Sequence, residues 1–266
     1  MDRPDTSPPT MMQRILASDF VFDFTRAPLA MLAAAVVLFL FIIAILAPLV
    51  APTNPFDPAS LNLMNGFTPP MTPNMFTGQS FVMGADNQGR DLLSAIIYGL
   101  RVSLFVGVMS VLLAMGIGVS LGLVAGYVGG WLDNLIMRIA DIQLTFPSIL
   151  IAMLIFGVLR GIIPPDLRDE MAIFVLIAAI GLSEWVPFAR TVRATTLVEK
   201  EKEYVQAARL IGLRRGQIMW RHILPNVIGP VLVIATITLA LAIIAEATLS
   251  FLCLLYTSDA ADDWSS

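Results

Sequence analysis

The side chains that most often carry metal or nucleophile chemistry are nearly missing from this chain. It has one His, His222, and one Cys, Cys253, which makes a Cys/His metal site or a Cys–His nucleophile pair implausible. No Walker A pattern occurs, so we expect no P-loop for ATP in this chain. The residues therefore predict no catalytic group, no metal and no bound cofactor.

Cations are the chemical groups that this chain concentrates. The only two Lys residues are both in one short stretch, which leaves little for nucleic-acid binding. A basic, helical stretch between two long apolar runs predicts a docking surface on the cytoplasmic side of a membrane. Eight of the sixteen Lys and Arg residues lie there: Arg190, Arg193, Lys200, Lys202, Arg209, Arg214, Arg215 and Arg221.

This basic segment, residues 190–226, has the pattern of two short helices around a glycine. Leu197–Ile211 contains no Gly or Pro and predicts the first helix, with Gly212 as its C-terminal cap. A second helix is predicted from Leu213 to about Ile223, limited by Pro225. Ala207 and Ala208 would leave a low-relief face for a partner protein. The composition alone also allows an amphipathic helix that rests on anionic lipid headgroups.

The elements that position this segment are membrane helices. The chain is 57% hydrophobic and 14% charged, against about 45–50% and about 25% in soluble domains. Apolar runs of about 20 residues predict an all-α, polytopic bundle with five spans. These are Leu29–Val50, Val102–Val128, Trp131–Leu159, Met171–Ala189 and Val227–Leu252.

The same pass along the chain predicts its domain organisation. Residues 1–26 form a polar tail, and residues 27–53 form a retained anchor rather than a cleaved signal peptide. Residues 54–101 are rich in Pro and predict an extracytoplasmic loop, closed by a short helix with Asp91 as its N-cap. Residues 102–252 form the core. An N-terminus inside the cell places twelve cations inside and four outside, which favours that orientation.

The last residues break the pattern. From Cys253 the sequence continues with small and acidic residues without periodicity, and it resembles the translation of a transposon-type sequencing adapter. We therefore expect residues 253–266 to be a non-native tail, and a sixth span to have been lost by truncation. A genuine acidic C-terminus is the alternative.

Several residues inside the predicted spans are candidates for gating or packing. Three glycines at spacing four predict close helix packing, with a role in substrate passage as the alternative. Pro147 predicts a packing kink or a gating hinge. Acids inside spans face a cavity or a partner, or reach water at a helix end. Arg138 and Asp141 are spaced to pair. The gating or packing set is Gly118, Gly122, Gly126, Pro147, Glu184 and Glu246.

These residues together resemble a known family. Gln206–Gly212, with Leu224-Pro225 beyond it, is similar to the EAA loop of ABC-importer permeases. Gly84–Ser94 is similar to the G-T-D-x-x-G-R-D-x-L-S stretch of the C-type subunit of dipeptide/oligopeptide (and nickel) permeases. The resemblance also includes Glu246–Leu252 and covers about residues 27 to 252. Departures are Gln206 in place of Glu and Ala85 in place of Thr.

The resemblance implies a type I ABC-importer permease of a bacterial or archaeal inner membrane, not an enzyme. It implies a second permease subunit, two ATPase subunits that hold ATP and Mg, an extracytoplasmic binding protein, and dipeptides, oligopeptides, nickel chelates or similar solutes as cargo. The alternatives from the residues are a secondary transporter and a membrane scaffold that recruits a cytoplasmic partner. The implied ATPase-coupling residues are Tyr204, Gln206, Ala207, Ala208, Gly212, Leu224 and Pro225, and the motif loop contributes Asp86, Gly89, Arg90 and Asp91.

Overall fold

A computed structural model describes residues 25–57 and 62–262, and it is helical apart from loops and one isolated β-bridge between Ala85 and Asp91. The all-α prediction is confirmed. The predicted N-terminal tail, residues 1–26, lies almost wholly outside the described residues. The chain divides after Arg101 into two compact units, which are described separately.

In the described part of the first unit, two apolar helices precede a loop. Helix α1 is Pro28–Ile45 and α2 is Ala47–Val50, and each has a Pro in its first turn, where no backbone N–H is needed. Helix α1 is apolar on all sides and its side chains are mostly exposed, as expected for a helix that faces lipid or another subunit. The proline-rich loop after it contains one 3₁₀ turn, Leu63–Asn65.

Helix α3 is longer than predicted. It runs without a break from Leu92 to Val128. Asp91 caps it as predicted, because its Oδ2 accepts the backbone N–H of Ser94 at 3.0 Å. The prediction of a separate short helix that ends before Val102 is wrong. No Pro occurs in this stretch, and a single Gly such as Gly99 costs a helix only about 1 kcal/mol.

The second unit contains seven further helices with short connections. Helix α4 is Gly130–Leu144, α5 is Ser148–Ile162, α6 is Arg168–Ser183 and α7 is Trp185–Glu199. A 3₁₀ turn, Pro165–Leu167, precedes α6. The basic segment then supplies α8, Glu203–Leu210, α9, Arg215–Ile218, and a π turn, Met219–Ile223. Helix α10 is Leu224–Asp262 and contains Pro230.

Three of the described helices are long and apolar enough to cross a membrane, and up to five spans result if each of two bent pairs counts as one. The two bent pairs are α4 with α5, at 97°, and α6 with α7, at 41°. The third predicted span is therefore two helices that meet at nearly a right angle. Pro147 produces the break, because it lacks an N–H and disfavours helical geometry at Phe146.

Helix α7 lies at the centre of the second unit. Phe188, Ala189 and Val192 are fully buried in it. Helix α7 packs against α10 on one side and α4 on another. Helix α7 extends to Glu199, ten residues past Ala189, where the fourth span was predicted to end. At the other end of the chain, α10 continues past Leu252, and the backbone shows no helix end at Cys253. The non-native origin of residues 253–266 stays a prediction.

Candidate functional site

The predicted first helix of the basic segment is two helices. The break lies at residues 200–202, between α7 and α8. Glu199, which is buried, accepts a hydrogen bond from Lys202 Nζ at 2.6 Å and another from the Tyr204 hydroxyl at 2.5 Å. Lys200 Nζ donates to the carbonyl of Gly126 at 3.1 Å. Local propensity favoured one helix, but the chain turns here, and Lys200 bonds to the C-terminal part of α3.

The end of α8 follows the prediction closely. Gly212 has φ +84°, the left-handed conformation that glycine adopts most readily. The N–H of Leu213 donates to the carbonyl of Ala208 at 3.2 Å, and the N–H of Gly212 donates to that of Arg209 at 3.0 Å. This pair of bonds is a Schellman motif. It gives α8 a sharp, fixed end.

The predicted contact face of α8 is half wrong. Ala207 is exposed, but Ala208 is only 4% exposed and packs into the core together with Val205. The exposed apolar side chains are instead Leu210, 89% exposed, and Ile211, 79% exposed. The small size of the two alanines predicted a low-relief face, but it does not show which of them faces the core.

Pro225 does not end the second helix. Helix α9, the π turn and α10 form one continuous helical stretch from Arg215 to Leu252. The π turn places Leu224 N–H on the carbonyl of Met219, five residues back. Its wider turn precedes Pro225, whose ring would otherwise clash with the preceding turn of an α-helix. Leu224 is half-buried and Pro225 is exposed.

A chain of hydrogen bonds joins α8 to its neighbours. Asn226 Nδ2 donates to the Tyr204 hydroxyl at 3.1 Å and to the carbonyl of His222 at 2.8 Å. Tyr204 in turn donates to Glu199. Partial burial, and next the hydrogen bond to Glu199, raise the pKa of Tyr204 to about 12. Gln206 takes no part in these hydrogen bonds, and its side-chain amide donates to the carbonyl of Glu201 at 2.9 Å. The network connects α7, α8 and α10.

Two cations of the basic segment are paired with α4. Arg193 Nη2 donates to Asp133 Oδ2 at 2.6 Å, and Arg193 Nε contacts the second carboxylate oxygen. Arg190 pairs with Asp141. The predicted Arg138–Asp141 pair is therefore wrong. Sequence reasoning missed both cross-helix pairs because nothing in the spacing shows that α4 lies against α7.

Gly118, Gly122 and Gly126 of α3 all face α7. A Cβ at Gly118 would lie 2.5 Å from the carbonyl oxygen of Trp185, and one at Gly122 would lie 2.4 Å from that of Ala189. At Gly126 it would lie 2.7 Å from the Cβ of Thr196. The predicted close packing is present. A role in substrate passage stays a prediction.

The two candidate acids lie in different settings. Glu246 is 8% exposed and accepts hydrogen bonds from Ser103 Oγ at 2.8 Å and from Ser250 Oγ at 3.1 Å. It thus joins α3 to α10. Glu184 is half-buried and lies at the break between α6 and α7 rather than inside a helix. The Gln143 amide caps that break by donating to the carbonyl of Ser183 at 2.9 Å.

In the first unit, the motif loop builds a turn and a helix start. Asp86 Oδ1 accepts the backbone N–H groups of Gln88 and Arg90, each at 2.8 Å. Gly89 has φ +77°, and a Cβ there would lie 2.0 Å from the carbonyl oxygen of Asn62. With Asp91 as the cap of α3, this motif stabilises the local structure. Within residues 25–57 and 62–262, no cluster of His, Cys, Asp and Glu could hold a metal ion.

Helices long and apolar enough to cross a membrane, three glycines that pack tightly against α7 and a capped helix on a basic surface are the features of an integral membrane protein. Residues 118–260 match the family described as binding-protein-dependent transport system inner membrane component. Residues 16–70 match the N-terminal transmembrane domain of oligopeptide transport permease C. The chain belongs to this family of ABC-transporter permeases.

Curated relatives cover most of the chain. The oligopeptide transport system permease protein OppC of Bacillus subtilis is 34% identical over 89% of this chain and 71% of its own length. The dipeptide transport system permease protein DppC of Haemophilus influenzae is 35% identical over 92% of this chain and 79% of its own length. The glutathione transport system permease protein GsiD of Escherichia coli is 38% identical over 88% and 71%. These relatives give no support to a secondary transporter or a scaffold.

Proposed function

We propose that this permease subunit serves an ATP-driven importer of peptides or similar small solutes, and that α8 with its cap, residues 203–213, is the contact for an ATPase subunit. The named relatives carry oligopeptides, dipeptides and glutathione, which supports the substrate class. The basic segment lies in the cytoplasm in this proposal, and so does the N-terminus.

The exposed apex of α8 carries the proposal. Leu210 and Ile211 are two adjacent, highly exposed apolar side chains. The Schellman cap holds them at the end of α8. The hydrogen bonds Asn226–Tyr204 and Tyr204–Glu199 connect α8 to α10 and α7. A displacement of the apex would therefore be transmitted to both of these helices. An apolar tip on a firmly held helix suits a groove in a partner protein better than a lipid surface.

The proposed assembly follows from the family. This chain pairs with a second permease subunit, two ATPase subunits bind ATP and Mg, and an extracytoplasmic binding protein delivers the solute. This chain supplies no residue to ATP hydrolysis. Its contribution is the contact at α8 and the surface of the translocation path shared with the second permease.

A substitution at the apex tests the coupling role. In the reconstituted complex, we expect Leu210→Glu to reduce solute-stimulated ATP hydrolysis at least about tenfold, since a carboxylate buried at a contact costs well over 1 kcal/mol. Leu210→Met is the matched control and should retain the activity. Membrane insertion should be equal in all three proteins. Full stimulation in Leu210→Glu would refute the contact.

A further inference from the structure

A pocket of about 410 Å³ opens beside the basic segment. It lies between the C-terminal end of α3 and the junction of α8 and α9. Its volume is more than ten times the ~30 Å³ that one water occupies in the liquid, so it has room for an organic ligand. Six residues line it: Tyr127, Val128, Arg209, Leu213, Arg215 and Ile218.

The two arginines of this pocket differ from three of the other cations in the basic segment. Arg190, Arg193 and Lys202 each have a carboxylate partner. Among the residues that the structure describes, no carboxylate lies within 4.0 Å of the Arg209 or Arg215 side chain. The guanidinium carbon of Arg209 lies 5.3 Å from the centre of the Tyr127 ring. This stacking holds Arg209 in place without neutralising its charge.

The lining fits one class of ligand. Guanidinium groups present planar sets of donors that match the oxygens of a phosphate and bind it more specifically than a Lys ammonium does. Leu213 and Ile218 supply an apolar wall for the organic part of such a ligand. The wall and the two cations lie at the end of a long apolar helix, the level at which lipid headgroups are found.

We propose that this pocket binds the phosphate group of an anionic ligand, with Arg209 and Arg215 as the anion-binding side chains and Tyr127 as the platform for Arg209. Arg209 and Leu213 belong to the proposed ATPase contact, residues 203–213, but its exposed apex, Leu210 and Ile211, does not line the pocket. Leu210→Glu therefore tests the contact without altering the pocket lining. Two sources share the chemistry, an anionic phospholipid headgroup and a free phosphate compound.

The test uses the full chain in nanodiscs of phosphatidylcholine. Phosphatidylglycerol is added in increasing amounts, and lipid retained by the protein is counted by native mass spectrometry. Inorganic phosphate is titrated separately by calorimetry. The variants are Arg209→Gln and Arg215→Gln. Arg214→Gln is the matched control, because Arg214 is an exposed neighbouring cation that does not line the pocket. Thermal melting of each variant checks its folding.

We expect Arg209→Gln and Arg215→Gln each to weaken retention about tenfold, as for the loss of one charge-assisted hydrogen bond, and Arg214→Gln to change it less than twofold. Retained phosphatidylglycerol without phosphate binding would assign the site to a lipid headgroup. Phosphate binding that needs the same two arginines would assign it to a free compound. The proposal is overturned if neither probe binds, or if Arg214→Gln weakens binding as much as the two pocket variants in folded protein.

Discussion

Gly118, Gly122 and Gly126 of α3 each face the surface of α7. The atoms they meet there include backbone atoms and β-carbons, which cannot move aside as the end of a flexible side chain can. At Gly122, an added Cβ would lie 2.4 Å from the carbonyl oxygen of Ala189 and 2.9 Å from the Cβ of Val192. The addition of a single methyl group would therefore force the two helices apart. The glycine pattern is a constraint on distance, and each position can be tested by itself.

We expect Gly122→Ala to lower the stability of the folded protein by about 1–3 kcal/mol, the usual cost of overpacking. Gly116 lies on the same helix and has open space where its Cβ would be. Gly116→Ala is thus the control, and it should be neutral or stabilising by up to about 1 kcal/mol, because Ala favours the helix. Thermal unfolding in detergent measures both. Equal melting temperatures for the two variants would contradict the close contact.

Tyr204 gives a prediction about pH. Its pKa is raised from the ordinary 10.0 to about 12 in the folded protein. The neutral phenol is the form that donates to Glu199, so its contribution to stability is complete below about pH 10. That contribution is lost as the pH rises from about 10 to about 12. Tyrosinate absorbance titrated in the wild type minus that in Tyr204→Phe should show a step near pH 12. A difference step near pH 10 would contradict the network.

At the scale of elements, α4 and α7 are joined by ion pairs on one side of α7. Asp133 is mostly buried at this contact, with 13% of its side chain exposed, and Arg193 is 33% exposed. The carboxylate receives both Nε and Nη2 of Arg193. Such a two-bond pair fixes the relative position of the helices better than one surface contact does.

We expect Asp133→Asn to destabilise the protein by about 1–3 kcal/mol, because it weakens charge-assisted hydrogen bonds at a partly buried site. The exchange Asp133→Arg with Arg193→Asp should recover part of that loss. Arg138→Gln is the control, since Arg138 is an exposed cation on the same helix. Thermal unfolding is measured for the wild type, the exchange variant, the control and the single variants Asp133→Asn and Asp133→Arg. An exchange variant no more stable than Asp133→Arg alone would argue against the pair.

The sequence predicts elements well where a local signal decides them. Asp91 as the cap of α3 and Gly212 as the cap of α8 depend on neighbours within a few residues, and both are confirmed. Pro147 interrupts the helix as expected, although the bend of 97° between α4 and α5 is larger than the predicted kink. The type of fold and the family also follow from apolar runs and short motifs.

Predictions failed where distant residues decide the outcome. The break between α7 and α8 depends on Glu199 receiving Lys202 and Tyr204, and on Lys200 reaching Gly126. The small side chains of Ala207 and Ala208 predict a low-relief face but do not show which of them faces the core. The continuation through Pro225 requires a π turn, which no residue pattern indicated. At the break, the contact of Lys200 with Gly126 is a tertiary one, which local propensity does not contain.

At the scale of the whole molecule, the distribution of Lys and Arg along the chain predicts an orientation in the membrane. The proposed inside surface carries Leu210, and the loop of the first unit carries Met75, which is 97% exposed. The proposal places them on opposite sides of the membrane, because Lys and Arg accumulate on the cytoplasmic side.

Cysteine labelling tests this orientation in intact cells. In a Cys253→Ser background, we expect Met75→Cys to react with a membrane-impermeant maleimide added outside, and Leu210→Cys to react only after the cells are permeabilised. Both residues are highly exposed, so access to the side chain does not limit the reaction. Labelling of Leu210→Cys in sealed cells would invert the topology.

The glycine face of α3 also has a consequence for biosynthesis. Its partner surface on α7 is translated only after α4, α5 and α6, so α3 enters the bilayer before the helix that fills its groove exists. During that interval the glycine face of α3 lacks its partner, and the arrival of α7 buries it. Insertion of the separate helices and their lateral assembly are thus two stages in time, and the glycine contact belongs to the second.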